Sequence, residues 1–240
     1  MTDALHEAID FDAIADLLWA PAKPRTRGPK PAQSSTSVTE AAIAIANREG
    51  LAAVTMQRLA TELGFTKMAL YRYVPSRTAL VAAMADLALG PAPERTASDW
   101  RSGLGEWALA AYDGFVAHPW LLEATMGPRV IGPNEAAWTE AGLVLLAKTS
   151  LGGADRLDVL AATIGHARAM AEQVVSISGI NAAGLSPEAL FSAGVKRDPG
   201  RFPEFARAVA EVERNGGADN GLTFGLNCIF DGVALRLRKA

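Results

Sequence analysis

The chain has 240 residues, half of them hydrophobic and only 20% charged, which excludes global disorder and implies a sizeable core in one large domain or two small ones. Its apolar runs are broken by Arg, Asp or Gly before the roughly 18 residues that a membrane span needs. Met1-Thr2-Asp3-Ala4 has no basic secretory n-region, so a soluble cytoplasmic protein is expected, and the net charge of −3 by itself excludes nothing.

Residues 3–19 repeat Leu5, Ile9, Ile14, Leu17 and Leu18 among acids, which predicts an amphipathic helix. Pro21, Pro24, Pro29 and Pro31, with Gly28, make 20–36 an extended linker. Within the linker Lys23, Arg25, Arg27 and Lys30 begin a basic stretch: residues 22–80 hold nine bases against three acids, inside an otherwise acidic chain. Nucleic-acid contact confined to one module leaves such a footprint, and so does an ordinary solvated surface.

Ser37-Val38-Thr39-Glu40 has the pattern of a capping box opening a helix to Arg48, with Gly50 as its terminator. Thr55 caps a short helix, Met56 to Leu63; Gly64-Phe65-Thr66 is a turn; and Thr66 caps a third helix, Lys67 to Val74. Pro75-Ser76 restarts a fourth, Arg77 to Leu89, and Gly90-Pro91-Ala92-Pro93 marks a domain boundary. Helices are then expected at 98–118, after Pro119, at 133–150, at 155–178, after Ser186-Pro187 and Asp198-Pro199, and at 222–238. No strand-like alternation of useful length and no repeat interrupts them, so the predicted fold class is all-α. Three parts are expected: 1–36, an acidic helix and basic arm; 37–90; and 91–240.

The helices 56–63 and 67–74 around a Gly-containing turn form a helix-turn-helix candidate. Small Ala60 suits the helix crossing, Gly64 the chain reversal and Leu70 the inner face. Thr66, Lys67, Ala69, Arg72 and Tyr73 are then left facing outward. Lys67, at the N-terminal end, is placed to reach base edges in a major groove. Gln57 is a candidate for a base edge or phosphate; Tyr71, Arg72, Tyr73 and Arg77 are candidates for phosphate oxygens, and Thr55 offers a hydroxyl at a helix end.

The stretch Thr55-Met56-Gln57-Arg58-Leu59-Ala60-Thr61-Glu62-Leu63-Gly64-Phe65, followed by Leu70-Tyr71-Arg72-Tyr73-Val74 and Arg77-Thr78-Ala79-Leu80, resembles the DNA-binding domain of the TetR (tetracycline-repressor-like) family. Phe65 stands where that pattern usually has Val and Tyr73 where it commonly has His, while Lys67 and Met68 leave the operator sequence open. Asp99-Trp100, Trp107, His118-Pro119-Trp120 and Phe224-Gly225-Leu226 with Phe230-Asp231-Gly232 resemble, more loosely, tetracycline-repressor-type C-terminal domains.

The resemblance implies a ligand-responsive regulator, a repressor binding double-stranded DNA at a palindromic operator and released by a small apolar effector. It further implies a homodimer formed through two helices per subunit, here 155–178 and 222–238. Their apolar stripes suit either that interface or the core of one chain. Arg25 and Arg27 either enter the minor groove, as homeodomain arms do, or simply lie in a solvated linker. For the effector the candidates are Trp107, Phe115, His118, Trp120, Trp138, His166 and Met170, most of them also natural core residues. His118 and His166 are read either as the pocket's polar handles or as a helix cap and a satisfied core histidine.

The single cysteine, Cys228, excludes an internal disulfide and a multi-thiolate metal site, and is expected in buried packing. His6, His118 and His166 lack metal-ligand spacing, and no nucleophile elbow, phosphate loop or carboxylate pair occurs. No cofactor, no metal, no membrane partner and no enzymatic activity are expected. The alternative function is a helical ligand-binding or interaction module that no longer binds DNA.

Overall fold

The computed structural model describes residues 10–19, 34–94, 96–127, 129–182, 194, 197–215 and 221–238. Among them there is no strand, and no helix is long and apolar enough to cross a membrane. The chain divides into two compact units, residues 1–149 and 150–240. The first contains α1 (Phe11–Trp19), α2 (Ser35–Glu49), a 3-10 turn (Leu51–Ala53), α3 (Met56–Leu63), α4 (Lys67–Leu70), α5 (Arg77–Leu89), α6 (Trp100–Ala117), α7 (Trp120–Ala124) and α8 (Pro133–Leu146). The second contains α9 (Gly153–Ala182), α10 (Pro203–Asn215) and α11 (Gly221–Leu237). The helix expected after Ser186-Pro187 and the basic arm lie outside the described residues.

Local chemistry starts each helix of the first unit's N-terminal half. Ser34, Thr55, Thr66, Ser76 and Asp99 each stand in extended conformation, and each accepts a first-turn N–H with its side chain. The capping box of α2 is Ser34 with Ser37, one turn earlier than the expected Ser37 with Glu40. Ser37 stands where the pattern has Glu or Gln, yet its hydroxyl makes the reciprocal bond, and the earlier start buries Val38 and Thr39 within the helix rather than at its mouth.

Val38, Ala42, Ile45, Val54, Leu59, Ala60, Leu70, Val74, Ala79 and Leu80 are fully buried and form one core beneath α2 to α5. α5 is the hub of the first unit: α1, α2, α6, α7 and α8 all pack on it. The segment 90–93, expected as a boundary, follows α5 directly. Trp138 on α8 ties it down, donating from Nε1 to the Gly90 carbonyl at 3.1 Å.

Two contacts fix α5 along its length. At its C-terminal end the buried Asp86 carboxylate accepts the Asn134 and Glu135 N–H groups at 3.0 and 3.1 Å, capping α8 across space. Gly132 makes room, since a Cβ there would collide with Asp86. At the N-terminal end Arg77 donates from Nε to the Val54 carbonyl (2.8 Å) and from Nη2 to that of Leu51 (3.1 Å). The acidic helix α1 also acquires a place: Ile14 is buried, α1 packs on α5, and Trp19 donates from Nε1 to the Ile131 carbonyl at 3.0 Å.

In the second unit α9 and α11 pack together. The stripes noted in the sequence turn inward within this one chain: Leu160, Thr163, Ala167 and Ala171 on α9, and Leu226, Phe230 and Val233 on α11, are buried. Cys228 is exposed rather than buried, because it lies on the opposite side of α11 from Leu226 and Phe230.

Candidate nucleic-acid interface

α3, the turn and α4 form the helix-turn-helix. Gly64 closes α3 at φ 68°, in the left-handed region where a Cβ is strained, and the Phe65 N–H reaches back to the Ala60 carbonyl at 2.8 Å. α4 is shorter than expected, ending at Leu70 instead of Val74. Residues 71–74 continue as tight turns, with the Tyr73 N–H on the Leu70 carbonyl at 2.8 Å. Pro75 is the physical reason, because it biases Val74 toward an extended backbone and denies the helix another turn. Phe65 and Tyr73 stack with centroids 5.9 Å apart and planes within 6°, bracing the turn from both sides.

The sequence candidates separate into two groups. Gln57, Lys67, Tyr71 and Arg72 are exposed; Thr55 and Thr66 are exposed too, with each hydroxyl oxygen accepting the N–H that caps its helix and its O–H free to donate outward. Ala69 and Tyr73 are half-buried, Tyr73 holding the turn through its ring. Arg77, expected on a phosphate, donates from Nε and Nη2 to the Val54 and Leu51 carbonyls, and so anchors α5 to the turn leading into α3. Arg25 and Arg27 lie outside the described residues.

Pairing sharpens the basic footprint. Arg58 is bonded to Glu62 and Glu49, and Arg48 lies on Glu62 and Glu49. The Arg58 guanidinium holds the Glu62 carboxyl below the usual range. With Arg77 bonded to carbonyls, Lys67 and Arg72 are the cations from 34 to 80 that no acid or carbonyl holds among the described residues; Lys67 opens α4 and Arg72 lies just beyond its end.

This assignment separates two arginines experimentally. Arg72→Ala is expected to lower the slope of log affinity against log salt by about one per subunit, the signature of a missing phosphate contact. Arg77→Ala is expected to leave that slope unchanged and to cost about 1–3 kcal/mol of stability, since two carbonyls lose a charged donor. Salt titration of operator binding together with thermal melts reads both, and a lowered slope for Arg77→Ala would restore it to the interface.

The effector candidates fall in both units. Trp107, Phe115, Trp120 and Trp138 are buried and His118 half-buried in the first; His166 and Met170 are half-buried in the second. Trp107 donates from Nε1 to the Trp138 carbonyl at 3.0 Å, and the two rings lie 6.0 Å apart. Trp107 also lines a small groove between α6 and α8, with Pro93, Glu94, Gly103, Ala141 and Leu145.

The two histidines are both committed within the fold. Asn47 Oδ1 at the end of α2 accepts from Trp120 Nε1 (2.7 Å) and pairs with His118 Nδ1 (2.9 Å). Indole N–H only donates, so the shared oxygen fixes the proton on His118 Nδ1. His166 Nε2 lies 3.1 Å from the Gly221 and Leu222 carbonyls, its ring against Gly225, joining α9 to α11.

Burial lowers the His118 pKa from the ordinary histidine value. The folded chain then takes up the second ring proton, the one that charges the imidazole, at lower pH than the unfolded chain, so the stability held at neutral pH declines as pH falls below about 6.5. Thermal melts across this range are expected to show a steeper loss for the wild type than for His118→Gln; equal losses would contradict it.

Comparison with known proteins agrees with this geometry. Residues 38–84 match the family described as "Bacterial regulatory proteins, tetR family", and residues 92–237 match "Tetracyclin repressor-like, C-terminal domain". The chain is 36% identical over 141 residues to the transcriptional repressor DrrR1 of Streptomyces coeruleorubidus, an alignment covering 57% of this chain and 52% of that protein. A regulator from Saccharopolyspora erythraea is 26% identical over 55% of this chain and 56% of its own. The chain thus spans about half the length of the curated relatives it matches.

Among solved structures, ActR of Streptomyces coelicolor in complex with actinorhodin superposes with a TM-score of 0.74 at 22% identity, covering 86% of this chain and 97% of that one. Mycobacterium smegmatis BioQ is another neighbour, with a TM-score of 0.58 at 22% identity over 85% of this chain and 99% of that one.

Proposed function

The chain belongs to the tetR family of bacterial regulatory proteins, whose members regulate transcription rather than catalyse reactions, and from that premise we propose that it is a homodimeric repressor of a palindromic operator, released by a small apolar effector. The observation that carries the DNA half is the isolation of Lys67 and Arg72, unpaired among the described residues, at the start and just beyond the end of a four-residue α4 whose inner residue, Leu70, is fully buried. Lys67 reads base edges with Gln57; Arg72, Tyr71, Thr55 and Thr66 hold phosphates; Arg25 and Arg27 reach the minor groove. Residues 37–90 do this work and 91–240 bind effector and partner. The effector half draws on Trp107, Phe115, Trp120 and Trp138, all in the first unit, and on ActR, which is bound to actinorhodin.

Coupling runs along α5. A rearrangement of α8 acts on Asp86, which caps it, and α5 passes the movement to Arg77, which holds the turn leading into α3. Effector and operator then oppose one another by the same coupling energy, typically about 1–3 kcal/mol. The dimer face proposed is the outer side of α9 and α11. There α9 exposes Ala161, Ala162, Gly165 and Ala169, small enough for close helix approach, and α11 exposes Phe224, Cys228 and Leu235.

Selection of bound sequences from a random duplex library with the full chain tests the reading. Enrichment of a palindrome whose half-sites lie about one turn apart supports it. A chain that enriches no duplex, yet melts higher with an apolar small molecule, would instead be the helical ligand-binding module.

A further inference from the structure

Among the described residues between Trp19 and Leu109, the only large hydrophobic side chains left exposed are Met68, at 76%, and Tyr71, at 39%. Every other large apolar side chain of the helix-turn-helix region is at least half covered. The two are three residues apart, and Tyr71 keeps helical backbone (φ −61°, ψ −13°), so both side chains lie on one face of the α4 turn. That face is bounded by the free cations Lys67 and Arg72. An apolar knob set between two positive charges, with no cover from its own chain, matches a surface that is anionic at its rims and apolar at one point within. A DNA major groove has that character: phosphates along its edges, polar base edges on its floor, and one apolar feature, the C5-methyl group of thymine. Methionine suits the contact, being unbranched, long and polarisable.

We propose that Met68, backed by the Tyr71 ring, is a specificity-determining residue that packs on the C5-methyl of a thymine in each half-site. The proposal rests on the DNA-binding reading above and adds to it which base, and which atom of that base, α4 recognises beyond the reach of Lys67. Met68 supports no core packing, so replacing it leaves the fold intact.

The test is a deoxyuridine scan of the duplex recovered from the random library, in which each thymine loses only its methyl group. The full-length protein is expected to lose about fourfold in affinity per half-site at one thymine position, the factor that burying one methyl-sized apolar group supplies. Met68→Ala is expected to bind the thymine and deoxyuridine duplexes alike, and Met68→Leu to keep most of the discrimination. The proposal is overturned if no thymine is sensitive while the duplex is still bound, or if Met68→Ala discriminates as well as the wild type. Failure to enrich any duplex would overturn the DNA-binding reading itself, and this inference with it.

Discussion

Phe224→Glu is expected to convert the proposed dimer into a monomer and to weaken operator binding by about two to four orders of magnitude, the range lost when two linked binding events become separate ones. The physical basis is where α11 spends its apolar residues. Leu226, Phe230 and Val233 are buried within the chain, whereas Phe224 is 67% and Leu235 56% exposed, and with Cys228 they line a second stripe of the helix. A carboxylate at Phe224 would be desolvated and unpaired in a helix–helix interface, yet costs little on a surface open to water. Sedimentation at micromolar concentration, thermal melts and gel shift therefore separate assembly from folding: a cooperative melt at a lower temperature that no longer depends on concentration, halved mass and an abolished shift are expected. A variant that stays dimeric with full affinity would place the interface elsewhere.

Lys67→Ala is the second large effect. Its side chain opens α4, faces outward and has no acid partner among the described residues, so its removal takes nothing from the fold. A base-edge contact from this position is worth about 1–3 kcal/mol of discrimination, a factor of roughly five to 150 between the selected operator and one altered at the contacted base. The expected pattern is a loss on the selected operator with little loss on the altered one. Equal weakening on both would make Lys67 a phosphate ligand like Arg72, and no weakening would remove it from the interface.

What the sequence discloses and what it withholds follow from the range of the forces involved. Helix starts are legible at Thr55, Thr66, Ser76 and Asp99 because a cap is decided within three residues of itself. At α2 the pattern points to Ser37 with Glu40, but the helix is capped at Ser34, where a serine makes the reciprocal bond and Val38 is buried within the helix. The length of α4 is obscured for a related reason: a helical pattern continues through Tyr73, but Pro75 acts backward on Val74.

Partners distant in sequence are beyond reach. Arg77 and the Leu51 carbonyl are 26 residues apart, and Asn47 is 71 from His118, so an arginine beside a DNA-reading element and a histidine near aromatics both look available for ligands. The stripes on α9 and α11 are legible as apolar, but periodicity alone does not tell an intrachain core from a subunit interface. Exposure of Cys228, Phe224 and Leu235 is the missing signal, and it exists only in three dimensions. The acidic N-terminal helix has no assignable role until Ile14 and Trp19 are seen against α5 and Ile131.

On the DNA-binding reading the outward face of α4 lies in the major groove, once per subunit. Methylation interference on the selected duplex tests it most directly, because guanine N7 lines the major groove and adenine N3 the minor. Interference is expected at guanine N7 in two patches about 10–10.5 base pairs apart, with the signal at the base facing Lys67 absent for Lys67→Ala. Interference confined to adenine N3, or a single patch insensitive to Lys67, would contradict it.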